Sequence, residues 1–257
     1  MRRRSSAAVA ARNAALVTRL RELKADHPFW GYRHCWAHLR YVDQVAVNKK
    51  RVYRLLKDHH LLATQTKHAV SRTSTRPKPK PDRPNQWWGI DMTKVLTEHG
   101  WAYVVLVLDW YTKQIVGYHC GSRATAADWL SALDQGLNRR FPDGAREHQL
   151  HLMSDNGSQP TAVRFMKTCA MVGVHQAFTS YNNPKGNADT ERMMRTMKEE
   201  LLWLREWRNP YEVAAAAGRW IEQYNQSYLH SALGYRTPNQ AEENYNLTMR
   251  TLLEKAG

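Results

Sequence analysis

Three acids, Asp91, Asp155 and Glu191, stand where strand or helix ends would expose them. Asp91 follows the apolar residues Trp87, Trp88 and Ile90 and reads as a residue inside a strand. Asp155 closes the apolar segment 149–155 and is followed by Asn156 and Gly157, a sharp-turn signal. Glu191 lies in the first turn or two of a helix. A carboxylate within a central strand is costly unless it is paired or bound to a cation. Hard divalent cations want such oxygen ligands, and Mg2+ takes as few as one or two carboxylates plus phosphate and water. Two metal ions roughly 3.5–4 Å apart can activate a nucleophile and stabilise the leaving oxygen in phosphodiester chemistry. Three acids converging from two strands and a helix would suit that reaction. Each also has an ordinary reading: Asp91 as an edge-strand residue, Asp155 as a turn former, Glu191 as a partner of the helix dipole. Their combination with the order of elements favours the chemical reading.

The elements that must position these acids follow residue 85. Strand patterns cover 86–95, 101–111 and 113–120, a three-stranded meander whose middle member is too apolar for an edge. A helix over 125–141 puts Trp129, Leu130, Leu133 and Leu137 on one face. A short buried strand at 149–155, a helix over 161–173 closed by Gly173, a strand at 174–179, the Glu191 helix and a helix over 210–228 complete the series. The order β-β-β-α-β-α-β-α-α predicts an α/β fold, a mixed five-stranded sheet with flanking helices. On the Glu191 helix, at ~100° per residue, Arg195 lies ~40° and Lys198 ~20° from the glutamate. Both cations share its stripe, either toward a phosphate-bearing substrate or in solvated pairing with Glu191. Met193, Met194, Met197 and Leu201 gather on another face and read as core. Lys185 and Asn187, in the preceding loop, are further candidates for contact with that substrate. His119, His151 and His175 read as ordinary sheet or surface residues.

The net charge of +15 sits entirely in the first third. Residues 1–83 carry 20 basic and 5 acidic side chains, whereas the remainder carries 18 of each. Such an imbalance points to a polyanion, most simply nucleic acid, against the plainer alternative of a solvated basic tail. Three helices are predicted, over 5–25, 32–42 and 47–62. In the third, Asn48 is the N-cap, Val52, Leu55 and Leu56 face inward, and Lys49, Lys50, Arg51 and Arg54 face out as DNA contacts. The domains are thus a basic helix-turn-helix-like unit at 1–65, a Pro/Lys-rich linker at 66–84, a catalytic core at 85–230 and a C-terminal tail at 231–257. The three cysteines form no CxxC pair, which favours a reducing compartment. His27, His34, Cys35 and His38 lack the paired spacing of a zinc site. Arg12 and Asn13 interrupt the apolar start, so it reads as a basic helix rather than a signal peptide. No run approaches the roughly 20 apolar residues of a membrane span. A soluble, cytoplasmic protein is expected.

The segments "DMT" at Asp91 and "SDNGSQ" at Asp155, with Glu191 after 35 intervening residues, resemble the D,D(35)E pattern of transposases and retroviral integrases. The ending "YNQSYLHSALGYRTPNQA" and the early "WGYRHCWAHLR" and "VNKKRVYRLLKDHHL" resemble the second open reading frame product of IS3-family insertion sequences. The resemblance runs from about residue 29 to 241. It implies a ribonuclease-H-like core, two Mg2+ or Mn2+ ions per active site, and bacterial DNA cleavage and strand transfer at element ends. Asp91, Asp155 and Glu191 would be catalytic metal ligands, Asp109 a non-catalytic acid, and Lys198 a phosphate contact. The implied partners are terminal inverted repeats and target DNA, further copies in a synaptic complex, and an upstream-frame product or fusion. A non-catalytic DNA-binding accessory protein is the alternative; all three acids being present weighs against it. A ribonuclease H acting on hybrids would share the fold and metals, but the basic first unit, the linker and the C-terminal segment argue against it.

Overall fold

A computed structural model of the chain describes residues 7–63, 79–179 and 184–256. It divides into two units, Met1–Ser71 and Arg72–Gly257. Most of the linker expected at 66–84 lies outside the described residues, as does most of the loop before Pro184.

The first unit is built from α1 (Ala7–Asp26), α2 (Tyr32–Tyr41) and α3 (Lys49–Asp58). Pro28 and Gly31 fall in the break between the first two, and Asn48 caps α3 by accepting from Lys50 N at 2.8 Å. Apolar side chains at helical spacing close one core: Val17, Leu20 and Leu23 from α1, Cys35 and Leu39 from α2, Val52, Leu55 and Leu56 from α3. Two polar ties reinforce it. Arg19 forks onto Asp43 through Nε (2.8 Å) and Nη2 (3.0 Å), and Arg51 donates to Asn13 Oδ1 from Nη2 at 2.6 Å.

The second unit holds β1 (Trp87–Thr97), β2 (Gly100–Asp109), β3 (Ile115–Gly121), α4 (Ala126–Arg140), β4 (His151–Ser154), α5 (Val163–Met171), β5 (His175–Phe178), α6 (Ala188–Met197), α7 (Pro210–Ser227) and α8 (Pro238–Ala256). The sheet order is β3-β2-β1-β4-β5, antiparallel across the meander and parallel from β1 through β4 to β5. β2 is interior, as its unbroken apolar run requires. Side-chain alternation along β2 divides the core into two layers. Val104, Leu106 and Leu108 face Met193, Met194 and Met197 of α6 and Val213 and Ile221 of α7. Val105 and Val107 face Trp129 and Leu133 of α4 and Phe165 of α5. Helix α4 lies very close to β3: a Cβ on Gly117 would run into the Ala132 carbonyl and stand 2.8 Å from Gly136 N. On the outer edge of β3, the Asn225 amide of α7 accepts from Ile115 N at 2.9 Å and donates to Ile115 O at 3.0 Å.

The stretch set off by sequence as a tail contains a further helix, α8. Thr237 and Gln240 cap it reciprocally: Gln240 N donates to Thr237 Oγ1 at 3.2 Å and Thr237 N to Gln240 Oε1 at 3.0 Å. Arg140 with Glu242, and Gln114 Nε2 with Asn239 Oδ1 (2.7 Å), fasten its first turns to the core. Among the described residues no helix is long and apolar enough to cross a membrane.

Candidate active site

Asp91 lies midway along β1, opposite Leu106 on β2. Its Oδ1 accepts from Met92 N at 2.8 Å. Burial pushes its carboxyl up to about 6, and the negative charges of Asp155 and Glu191 push the same way; the Met92 N–H and the Lys198 ammonium oppose them. The three acids and Lys198 therefore share one electrostatic neighbourhood. The parallel register explains the Asp91–Asp155 part: Gly89 pairs with Met153, and each acid lies two residues beyond that pair. Asp155 is exposed just past β4, in a turn where its Oδ1 accepts from Gly157 N at 3.1 Å. Glu191 is exposed in the first turn of α6. Lys198 begins a π-helical turn (Lys198–Leu202) that continues α6.

The donor set is all carboxylate oxygen, the preference of a hard divalent cation, and a cation would relieve the like-charge repulsion at Asp91. These residues fit Mg2+ or Mn2+ in chemistry. Among the described residues, though, no three His, Cys, Asp or Glu side chains gather tightly enough to enclose a metal ion. Asp155 and Glu191 nevertheless lie near enough to Asp91 for their charges to act on it.

Asp109, the other acid near β1, is occupied by the backbone. It is buried and accepts from Asn85 N (2.6 Å), Tyr111 N (2.7 Å) and Thr112 N (2.9 Å), building the turn between β2 and β3. From that turn Lys113 Nζ donates to Asp189 Oδ2 at 2.9 Å, tying down the first turn of α6.

The remaining expected contacts separate. Arg195 is exposed and pairs with Glu199 at 2.7 Å rather than with Glu191. Lys185 belongs to the 3-10 turn Pro184–Asn187, and its side chain lies outside the described residues. Asn187 is buried, which removes it from the DNA-facing set; its Nδ2 donates to Ile90 O at 3.5 Å. In the first unit Lys50 and Arg54 are exposed, and Lys49 Nζ rests 4.0 Å from the Trp36 ring centroid. Arg51 is turned toward α1 by Asn13, because its position on α3 borders the buried stripe. A groove of about 940 Å³ between α1 and α3 is lined by Arg12, Arg21, Arg51 and Arg54. His151 stacks against Trp87 and lies tilted beside His175, and burial with the neighbouring His175 favours its neutral form. Burial pushes the Cys35 thiol up to about 11.

Comparison with known proteins decides the family. The integrase core domain family matches residues 81–184 and, through a second description of the same name, 172–238; an HTH-like domain family matches 11–69. The chain belongs to the integrase-core family. Its similar proteins are insertion-sequence transposases, in agreement with the IS3-family resemblance. The transposase for insertion sequence element IS629 of Shigella sonnei is 31% identical over 164 residues, covering 64% of this chain and 54% of that protein. The chain thus aligns with about half the length of that relative. The transposase for IS904 of Lactococcus lactis is 28% identical over 217 residues, covering 79% of this chain and 83% of that one. Transposase InsD for insertion element IS2D of Escherichia coli is 25% identical over 233 residues, covering 88% and 77%. Among solved structures, a chain of the simian T-cell lymphotropic virus intasome in complex with PP2A regulatory subunit B56 gamma has a TM-score of 0.50 at 13% identity. It covers 87% of this chain and 74% of that one, a likeness of fold.

Sequence reading missed the residues that hold this integrase core's Glu191 helix against β1, namely Gly89, Trp110 and Thr190. No local pattern marks them, since Trp110 and Thr190 stand 80 residues apart.

Proposed function

We propose that the chain is the catalytic subunit of a DNA transposase, cleaving phosphodiester bonds at insertion-sequence ends and joining them to target DNA. The observation that carries this reading is that Asp155, Glu191 and Lys198 all lie near enough to Asp91 for their charges to act on its carboxyl. The three carboxylates would hold divalent metal, two ions per site, as catalytic ligands. When bound, Mg2+ or Mn2+ supplies Lewis acidity toward the nucleophile, the phosphate charge and the departing oxygen. Asp91 must be ionised to serve, and a carboxyl raised to about 6 is ionised above neutral pH. Water, and then a DNA 3′-hydroxyl, attacks phosphorus in line, and the same site performs nicking and joining without a covalent protein intermediate. Lys198 places positive charge beside the carboxylates to neutralise phosphate, with Arg195 and Lys185 as further contacts. The helical unit, assigned to 1–65, adds sequence-independent affinity through Lys49, Lys50 and Arg54, while Arg51 is held by Asn13. The linker at 66–84 connects it to the core at 85–230. Paired element ends require further copies of the chain, and an upstream-frame product would complete the working assembly.

A strand-transfer assay on DNA carrying the element's terminal repeats, with Mg2+ or Mn2+, tests this. Asp91→Asn, Asp155→Asn and Glu191→Gln should each lower joining by at least about 100-fold while leaving DNA binding largely intact. Normal joining by any one of them removes that residue from the ligand set. A wild-type chain that binds the repeats yet never cleaves or joins them, even with the upstream-frame product supplied, would instead support the accessory reading.

A further inference from the structure

The residue just ahead of each of two acids is held by a hydrogen bond from another part of the fold. Ile90 precedes Asp91 and Thr190 precedes Glu191. Asn187 Nδ2 donates to the Ile90 carbonyl at 3.5 Å, and Trp110 Nε1 donates to Thr190 Oγ1 at 3.0 Å. Asn187, Trp110 and Thr190 are all buried. Their meeting place is the bare face of Gly89: a Cβ there would run into Thr190 Oγ1 and stand 2.5 Å from Trp110 Nε1 and 2.8 Å from Asn187 Oδ1. Gly89 is thus required for clearance, two residues before Asp91. Asp109, by building the turn after β2, presents Trp110 to this contact.

We propose that Gly89, Trp110, Asn187 and Thr190 form a positioning clamp that sets the separation of Asp91 and Glu191, and with it the site's affinity for divalent cations. The inference rests on the carboxylate reading above. Like-charged carboxylates repel, so what holds them near each other must act outside the charged groups. Here a neutral hydrogen bond and a steric seat do so, the part that supporting residues play in ordering metal ligands. None of the four need touch DNA or cation.

Mn2+ binding to the full chain, followed by electron paramagnetic resonance, tests the clamp alongside the Mn2+ dependence of strand transfer. Thr190→Val keeps the shape and removes the acceptor for Trp110; Thr190→Ser keeps the hydroxyl. Thr190→Val should raise half-saturating Mn2+ about 10–100-fold, Thr190→Ser should stay near wild type, and DNA affinity should not change. Gly89→Ala should act as Thr190→Val or more strongly; should it fail to fold, the Val and Ser pair decides. Wild-type Mn2+ affinity in a folded Thr190→Val chain, while Asp91→Asn and Glu191→Gln lose binding, overturns the clamp alone. Wild-type Mn2+ affinity in those two acid variants overturns the carboxylate reading and the clamp with it.

Discussion

Lys198, seven residues past Glu191, lies near enough to Asp91 for its charge to oppose the rise in that carboxyl's pKa. The cation therefore helps to keep the buried acid ionised. Replacing it with alanine removes a positive charge that favours the carboxylate, so the pKa rises further. The acid limb of the strand-transfer pH profile should move up by about half a unit at low ionic strength, and Lys198→Arg should restore it. A profile unchanged by Lys198→Ala would separate Lys198 from Asp91.

The same carboxyl bears on stability. Its folded pKa, about 6, exceeds the ordinary 3.8, so the folded state favours the protonated form. Without divalent metal, ionising Asp91 should cost the native state at most about 3 kcal/mol above pH 6, a cost that fades as pH falls and is gone below about pH 3. Asp91→Asn should therefore melt higher than wild type at pH 7.5 and equally at pH 3. Melts run in chelator at both pH values measure this; a variant less stable at pH 7.5 would count against the burial argument.

Asp109 should matter through folding. Alanine there strands three backbone N–H groups in a buried turn, at about 1–3 kcal/mol each before relaxation. Asparagine could still accept from Tyr111 and Thr112 but would turn an amide donor toward Asn85 N. Denaturant unfolding should rank wild type, Asp109→Asn and Asp109→Ala in falling order. Asp109→Asn, assayed where it remains folded, should retain joining.

These acids also mark how far the sequence could be read. Strand alternation, the methionine stripe of α6 and the spacing from Asp155 to Glu191 are local or periodic signals, and the structure reproduces the elements they imply. Helix α8 was legible in principle: Thr237, Pro238 and Gln240 form a helix-start pattern of N-cap, N1 and N3 residues. Its composition, mostly polar with scattered leucines, hid it. The seat of Thr190 on Gly89 was not legible, because it depends on how closely a helix and a strand approach, a tertiary quantity without a periodic trace. The inward turn of Arg51 likewise depends on Asn13, 38 residues away on another helix.

Close approach is decisive again where α4 meets β3. Gly117→Ala would place a methyl group against helix backbone at Ala132 and Gly136, which cannot swing aside as a side chain could. The variant should lose about 1–3 kcal/mol or more in urea unfolding, with DNA binding by the first unit retained. A neutral result would mean that α4 can lift from the sheet freely.

The basic side chains of α3 should divide into two classes. Lys50→Ala and Arg54→Ala, at exposed positions, should weaken DNA binding and each reduce the slope of log affinity against log salt by about 1. Arg51→Ala should lower the unfolding midpoint of the helical unit through its lost tie to Asn13. Binding isotherms at several salt concentrations, with thermal melts of the same samples, distinguish the classes.

Asn225 meets both main-chain groups of Ile115 on the open margin of β3. One side-chain amide, with its donor and acceptor side by side, satisfies what a residue of a sixth strand would satisfy. A stray extended segment reaching this margin finds Ile115 already engaged, so the ladder cannot be extended there without first expelling the amide. In a protein whose proposed task gathers several copies on DNA, that guards against copies fusing through their sheets.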